Sequence, residues 1–138
     1  MPIYKTKIKP FSGTRYADVG YKAFALFRQI KRKTKRRPYV RSAYFKKEKI
    51  FVELFWTHLQ DKNNLRDKTR RLKYFPCALD LIRNSKHNPT SKINPNKSKE
   101  ILHRFVGTTE DGTNFFVQIK EDKNSKKKCL ISVFPEDK

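Results

Sequence analysis

The spacing of apolar residues changes once along this chain, from the three-and-four of helices to the two of strands, and few architectures accept that order. Residues 1–15 hold Pro2, Pro10 and the Ser12-Gly13 pair, which break any period. From Asp18, a candidate cap, Val19, Ala23, Phe24, Phe27 and Ile30 share one helical face, and Pro38 lies beyond the end. About Lys46 to Asn63, the residues Ile50, Phe51, Leu54, Phe55, His58 and Leu59 predict a second helix. A strand through Ile50–Phe55 competes, since Ile-Phe-Val suits either. Leu65, Leu72, Phe75, Leu79 and Ile82 make a third helical stripe, and Pro76 inside it predicts a kink or two abutting helices. Residues 84–99, with two Asn-Pro steps among small polar residues, read as a long loop.

After Glu100 the period is two. Ile101–Gly107, Phe115–Glu121 and Cys129–Phe134 are predicted strands, the first pair joined by an Asp111-Gly112 turn. The expected fold is therefore α+β: N-terminal helices packed on a small C-terminal antiparallel β-meander, with a basic N-terminal arm. The expected organisation is a basic arm and helix over 1–41, then one α+β domain over 42–138. That domain holds helices in 46–84, a loop at 85–99 and the meander at 100–135.

Charge narrows the partners. The 138 residues carry 34 Lys and Arg against 13 Asp and Glu, a formal net charge of +21. Residues 1–41 hold 13 basic residues and one acidic, so over half of the excess lies in the first third. Lys31, Arg32, Lys33, Lys35, Arg36 and Arg37 form the densest run, which repels itself unless a polyanion neutralises it. RNA is the expected partner, ribosome-associated RNA included, with DNA as the alternative. A solvated basic arm is the ordinary reading, and an acidic protein partner a further one. With 11 Phe, 6 Tyr and 1 Trp the chain is no featureless basic tail. No window approaches the roughly 18 apolar residues of a membrane span. The N-terminus lacks an apolar signal core. Cys77 and Cys129 lie far apart among apolar neighbours and read as buried free thiols, which suits a cytoplasmic location. A large multidomain enzyme, an integral membrane protein and a disulfide mini-protein are excluded, and no motif asks for a metal or a cofactor.

Period two also sorts the strand residues by face. Phe115, Val117 and Ile119 should meet the helices, while Phe116, Gln118 and Lys120 look away. In the last strand Ser132 should share that outer face with Leu130 and Phe134, with Cys129, Ile131 and Val133 inward. In the first strand either His103 and Phe105 or Leu102, Arg104 and Val106 point outward. An outer face carrying Gln118, Lys120, Ser132, Phe134 and one of His103 or Arg104 suits an anionic, partly planar ligand. Each residue also has an ordinary reading: Lys120 as a solvated edge lysine, Ser132 as a strand serine, His87 as an exposed loop histidine.

Taken together, Leu81-Ile82-Arg83-Asn84-Ser85-Lys86-His87-Asn88-Pro89, Ile93-Asn94-Pro95-Asn96-Lys97, His103-Arg104-Phe105, Phe116-Val117-Gln118-Ile119-Lys120 and Leu130-Ile131-Ser132-Val133-Phe134-Pro135 form a pattern. It resembles the barnase/EndoU/colicin/RelE superfamily of small metal-independent ribonucleases, especially its phage and mobile-element branch. The resemblance covers residues 70–136. Asn88 separates His87 from Pro89, Ser132 stands where Thr is usual, and Phe134 where Tyr is usual. The resemblance implies a metal-independent endoribonuclease, toxin-like and neutralised by an antitoxin, that leaves a 2′,3′-cyclic phosphate. It implies His87 as general base or acid, Arg104 and Lys120 as stabilisers of the phosphorane charge, and Ser132 as a hydrogen-bond partner of the scissile phosphate. The basic run, with Arg70, Arg71, His103, Gln118 and Phe134, would hold the RNA. The alternative is a non-catalytic RNA- or DNA-binding protein on the same fold.

Overall fold

Val19, Ala23, Phe27 and Ile30 are buried along one stripe of the first helix, as their spacing predicts, whereas Phe24, expected on the same face, is exposed beside Trp56. In the computed structural model, which describes residues 3–136, that helix is α1 (Tyr16–Lys33). It follows a two-residue strand, β1 (Tyr4–Lys5), and precedes β2 (Tyr39–Arg41) and β3 (Lys49–Phe51). Three helices come next: α2 (Glu53–Gln60), α3 (Leu65–Lys73) and α4 (Phe75–Asn84). The chain ends in β4 (Thr90–Asn94), β5 (Lys97–Thr108), β6 (Asn114–Asp122) and β7 (Lys128–Pro135).

All seven strands belong to one sheet. Its order is β1-β5-β6-β7-β3-β2, with β4 paired to β5. The β1–β5 and β3–β7 pairings are parallel, the others antiparallel. This corrects the expected architecture. The three predicted strands are present, but as the middle of a larger mixed sheet rather than a small antiparallel meander under N-terminal helices. The N-terminal half supplies three of the strands, and each is two or three residues long.

The arm is tied down. Tyr4 and Lys5 pair with Gly107 and Thr108, and Thr6 N–H donates to Thr108 O at 3.0 Å. The Tyr4 and Thr6 hydroxyls both donate to Asp80 Oδ2, at 2.8 and 2.6 Å. Burial, then the Asp80 carboxylate, pushes the Tyr4 phenol up to about 12. The span expected as a helix from Lys46 begins instead with β3, and the helix starts only at Glu53. The span expected as the loop 85–99 contains β4 and the start of β5, with Asn94 Oδ1 accepting from Asn96 N–H at 3.0 Å in the turn between them. Pro76 resolves the third stripe into two abutting helices. It sits in the first turn of α4, where its missing N–H costs no helix bond. At the start of α3, Asn64 Oδ1 caps Asp67 N–H at 3.1 Å.

The core lies between the inner face of the sheet and the helices. Phe115, Val117, Ile119, Leu130 and Val133 line that face beside Phe105. Leu130 was expected on the outer face. A β-bulge moves it: Gln118 pairs with Ser132 and Ile119 with Leu130, so Ile131 is the extra residue and the alternation restarts beyond it. For the same reason Cys129 lies opposite Lys120 rather than inward.

Gly107 marks the closest approach of β5, β6 and α4. A Cβ there would sit 2.4 Å from Phe115 Cζ and 2.9 Å from Leu81 Cδ1. The Phe115 ring cannot yield, being fully buried and stacked on Tyr74 at 5.8 Å. Gly107→Ala is expected to cost about 1–3 kcal/mol by overpacking, read as a lower urea midpoint at constant m-value.

Candidate nucleic-acid interface

The outer face of β5, β6 and β7 carries three rungs set by register. Arg104 lies opposite Gln118, which lies opposite Ser132. Val106, Phe116 and Phe134 form the next rung, and Leu102, Lys120 and Cys129 the rung on the other side. The Phe116 and Phe134 rings are 5.2 Å apart, and the Arg104 guanidinium sits 5.6 Å from both ring centroids. Arg104 is exposed, whereas Phe116, Gln118, Ser132 and Phe134 are half-buried.

A second guanidinium comes from α3. Arg71 Nη1–H donates to Ser132 Oγ at 2.9 Å, and the guanidinium lies 5.3 Å from the Phe134 centroid. Its Nε–H donates to Asp67 Oδ2 at 2.9 Å. Burial works to raise the Asp67 carboxyl, but hydrogen bonds from Arg71 and Arg70 outweigh it and hold the group below its ordinary value. Asp67 therefore stays ionised and fixes Arg71 in place. The result is an aromatic pair with a cation on each side, and a hydroxyl and an amide between them.

Lys120 is on the same face, but its Nζ lies 3.4 Å from Glu100 Oε2. Glu100 also accepts from Asn94 Nδ2–H at 3.1 Å. Of the four residues implied as catalytic, Arg104, Lys120 and Ser132 thus share one face. His87 does not join them. It is exposed in the loop between α4 and β4, and its backbone N–H donates to Ser85 Oγ at 3.3 Å. That loop leads directly into Thr90, the register partner of Arg104.

His103, expected among the residues that hold RNA, is on the opposite face. It is only 8% exposed, with Nδ1 2.7 Å from Ser91 Oγ and Nε2 2.8 Å from Glu121 Oε1. A carboxylate at Glu121 can only accept, which places a proton on Nε2, and the Ser91 hydroxyl can serve Nδ1 as donor or acceptor. The basic run forms the last turn of α1 and the linker after it, all exposed at Lys31, Arg32, Lys33, Lys35, Arg36 and Arg37. Arg37 pairs with Glu53 at 2.9 Å and lies 5.4 Å from the Phe51 centroid. Arg70 pairs with Asp67 at 3.2 Å and lines a hollow with Tyr16, Leu65, Arg66 and Lys73, to which neither Phe116 nor Phe134 contributes.

Sequence reasoning missed Phe116 and Glu100 as members of the site. Phe116 shares its parity with Gln118 and Lys120, so the signal was present. Glu100 became visible only through Lys120, across the strand pair. Among the described residues no group of three or more His, Cys, Asp or Glu side chains is placed to hold a metal ion. Nor is any described helix long and apolar enough to cross a membrane. A scan of family models finds no match, and neither do searches of curated proteins and of solved structures.

Proposed function

We propose that this protein binds single-stranded RNA across the outer face of β5, β6 and β7. One observation carries the reading: the Phe116–Phe134 pair is flanked by two guanidiniums, Arg104 and the immobilised Arg71. Aromatic faces stack bases of any sequence while the cations take the adjoining phosphates. The Gln118 amide and the Ser132 hydroxyl lie between them, where a ribose 2′-OH can be met. Cytoplasmic RNA is the ligand this reading assigns.

A second reading is metal-independent cleavage of the same RNA, as the ribonuclease resemblance implies. The placement of Arg104, Lys120 and Ser132 on one face supports it, as does the His87 loop that feeds the strand beside Arg104. A base takes the 2′-OH proton, O2′ bonds to phosphorus, the P–O5′ bond breaks, and an acid protonates the leaving 5′ oxygen. The products are a 2′,3′-cyclic phosphate and a 5′-hydroxyl. His87 has the side chain for the proton work, and the two cations stabilise the added phosphate charge.

The two readings separate on one gel. Mixed RNA and a DNA copy are incubated in chelator with the wild type and with His87→Ala. Binding alone leaves RNA length unchanged and gives affinity with a log–log salt slope of several units. Cleavage shortens RNA but not DNA, and stops in His87→Ala. Protein that neither retards nor cuts RNA overturns both.

A further inference from the structure

At the far end of the sheet from β1 lies a second cationic surface that the stacking face does not use. The end of α1, β2, the 42–48 turn and the end of α4 enclose a hollow of about 750 Å³. Lys33, Arg41, Lys46, Lys47, Arg83 and Lys86 line it, and among the described residues no carboxylate does. The hollow runs on into a neighbouring one that shares Arg41, Lys46 and Lys47 and adds Lys126 and Lys127, with Glu48 in its lining paired to Lys128.

The backbone here holds lysines in a conformation that disfavours them. Lys46, Lys47 and Lys126 have φ of 56°, 67° and 66°, the left-handed region where glycine or asparagine is easier to place. They are the described non-glycine residues at positive φ, and all three line these hollows. The turns are closed tightly: Lys47 N–H donates to Ser42 O at 2.7 Å and Ser42 N–H to Glu48 O at 3.0 Å around the first two, and Lys126 N–H donates to Asp122 O at 2.8 Å in the turn before β7. Arg41 Nη1–H donates to Lys47 O at 3.0 Å, which fixes one guanidinium over the turn. Strained backbone held rigidly by its surroundings is a mark of a working surface.

We propose that this surface is a second nucleic-acid site, which grips the phosphate backbone of a double helix. Six like charges around one hollow repel one another until an anion sits between them. The chemistry favours backbone over bases, because among the described residues the first hollow is lined by six Lys and Arg side chains against a single aromatic ring, Tyr39. It favours nucleic acid over a lipid surface, because the hollow presents no exposed apolar side chain to insert: Val40 is buried and Tyr39 half-buried. Two strand spacings, about 10 Å, and a five-residue rise along β7, about 16 Å, separate Tyr39 on β2 from Phe134, a span that one structured RNA can cover with its stem here and its single strand on Phe116 and Phe134.

The test is duplex binding as a function of salt, with a blunt RNA duplex and a DNA duplex of the same sequence. The triple variant Lys46→Gln, Arg83→Gln, Lys86→Gln should lower the log–log slope by about two to three units. A control triple, Lys5→Gln, Lys7→Gln, Lys9→Gln, removes the same charge from exposed residues at the opposite edge and should leave the slope nearly unchanged. An RNA-only effect names an A-form helix as the ligand, and an equal effect on both duplexes names any double helix. An unchanged slope in the first triple, or equal losses in both, overturns the proposal. Phe134→Ala should bind duplex as the wild type does, so failure of the single-strand reading shows separately.

Discussion

Replacing Phe134 with alanine is expected to weaken binding of a short single-stranded RNA by about 5- to 150-fold. The range is the free energy of one base–aromatic stack, about 1–3 kcal/mol, converted to a ratio of dissociation constants. Three contacts go with the ring: the partner face of Phe116, the platform under Arg104 and the platform under Arg71. Arg71 keeps its bonds to Asp67 and Ser132, so both cations remain and the salt slope should hold while affinity drops. Fluorescence anisotropy at two salt concentrations reads both quantities. Phe134 is half-buried on the outer face, outside the main core, so circular dichroism should report a folded variant. An alanine protein that is folded and binds as tightly as the wild type would remove the stacking platform from the account.

The second large effect is on stability. Lys128 is a cation within the fold: its side chain is 6% exposed. Its Nζ is 2.5 Å from Glu48 Oε2 and 3.8 Å from Glu121 Oε2, donates to Lys126 O at 3.1 Å, and faces the Phe45 ring at 4.9 Å. Lys128→Ala removes the ammonium but leaves the Glu121 carboxylate, itself largely buried, with His103 as its remaining close partner. Glu48 is exposed and returns to water, while Glu121 keeps His103 but loses a second cation and Lys126 O loses a donor, so the cost is about 1–3 kcal/mol. Urea unfolding should show that loss. A companion variant, Lys127→Ala, removes an exposed neighbour of the same type and should lie within about 0.5 kcal/mol of the wild type. Equal stability of the two variants would mean that water reaches Lys128.

What the sequence discloses and what it hides follow one physical line. The strands β5, β6 and β7 are legible because each is half-buried over many residues, so burial writes a period of two, and the Asp-Gly step supplies the turn. β1, β2 and β3 are too short for any period. β1 and β3 are strands because Gly107 and Cys129, remote in sequence, lie beside them, and β2 is one because it pairs with β3 across the 42–48 turn. β4 is hidden for a different reason: Thr90 to Ile93 are all exposed, so no alternation of polar and apolar residues marks it. The choice between His103 and Arg104 for the outer face was open in the pattern alone. Ser91 and Glu121, on two other strands, settle it by satisfying the imidazole on the inner side. Arg71 was visible as a charge, but its grip on Ser132 depends on how α3 crosses β7.

The way the sheet ends bears on how the protein behaves at high concentration. Along its free side β5 is occupied twice, by β4 beside Lys97 to Arg104 and by β1 beside Gly107 and Thr108. The opposite margin is the three-residue β2, which bears Arg41. The remaining free edges are those of β4, five residues with Lys92, and of β1, two residues with Lys5, so another copy of the chain meets only short, cationic edges and growth into fibres is discouraged.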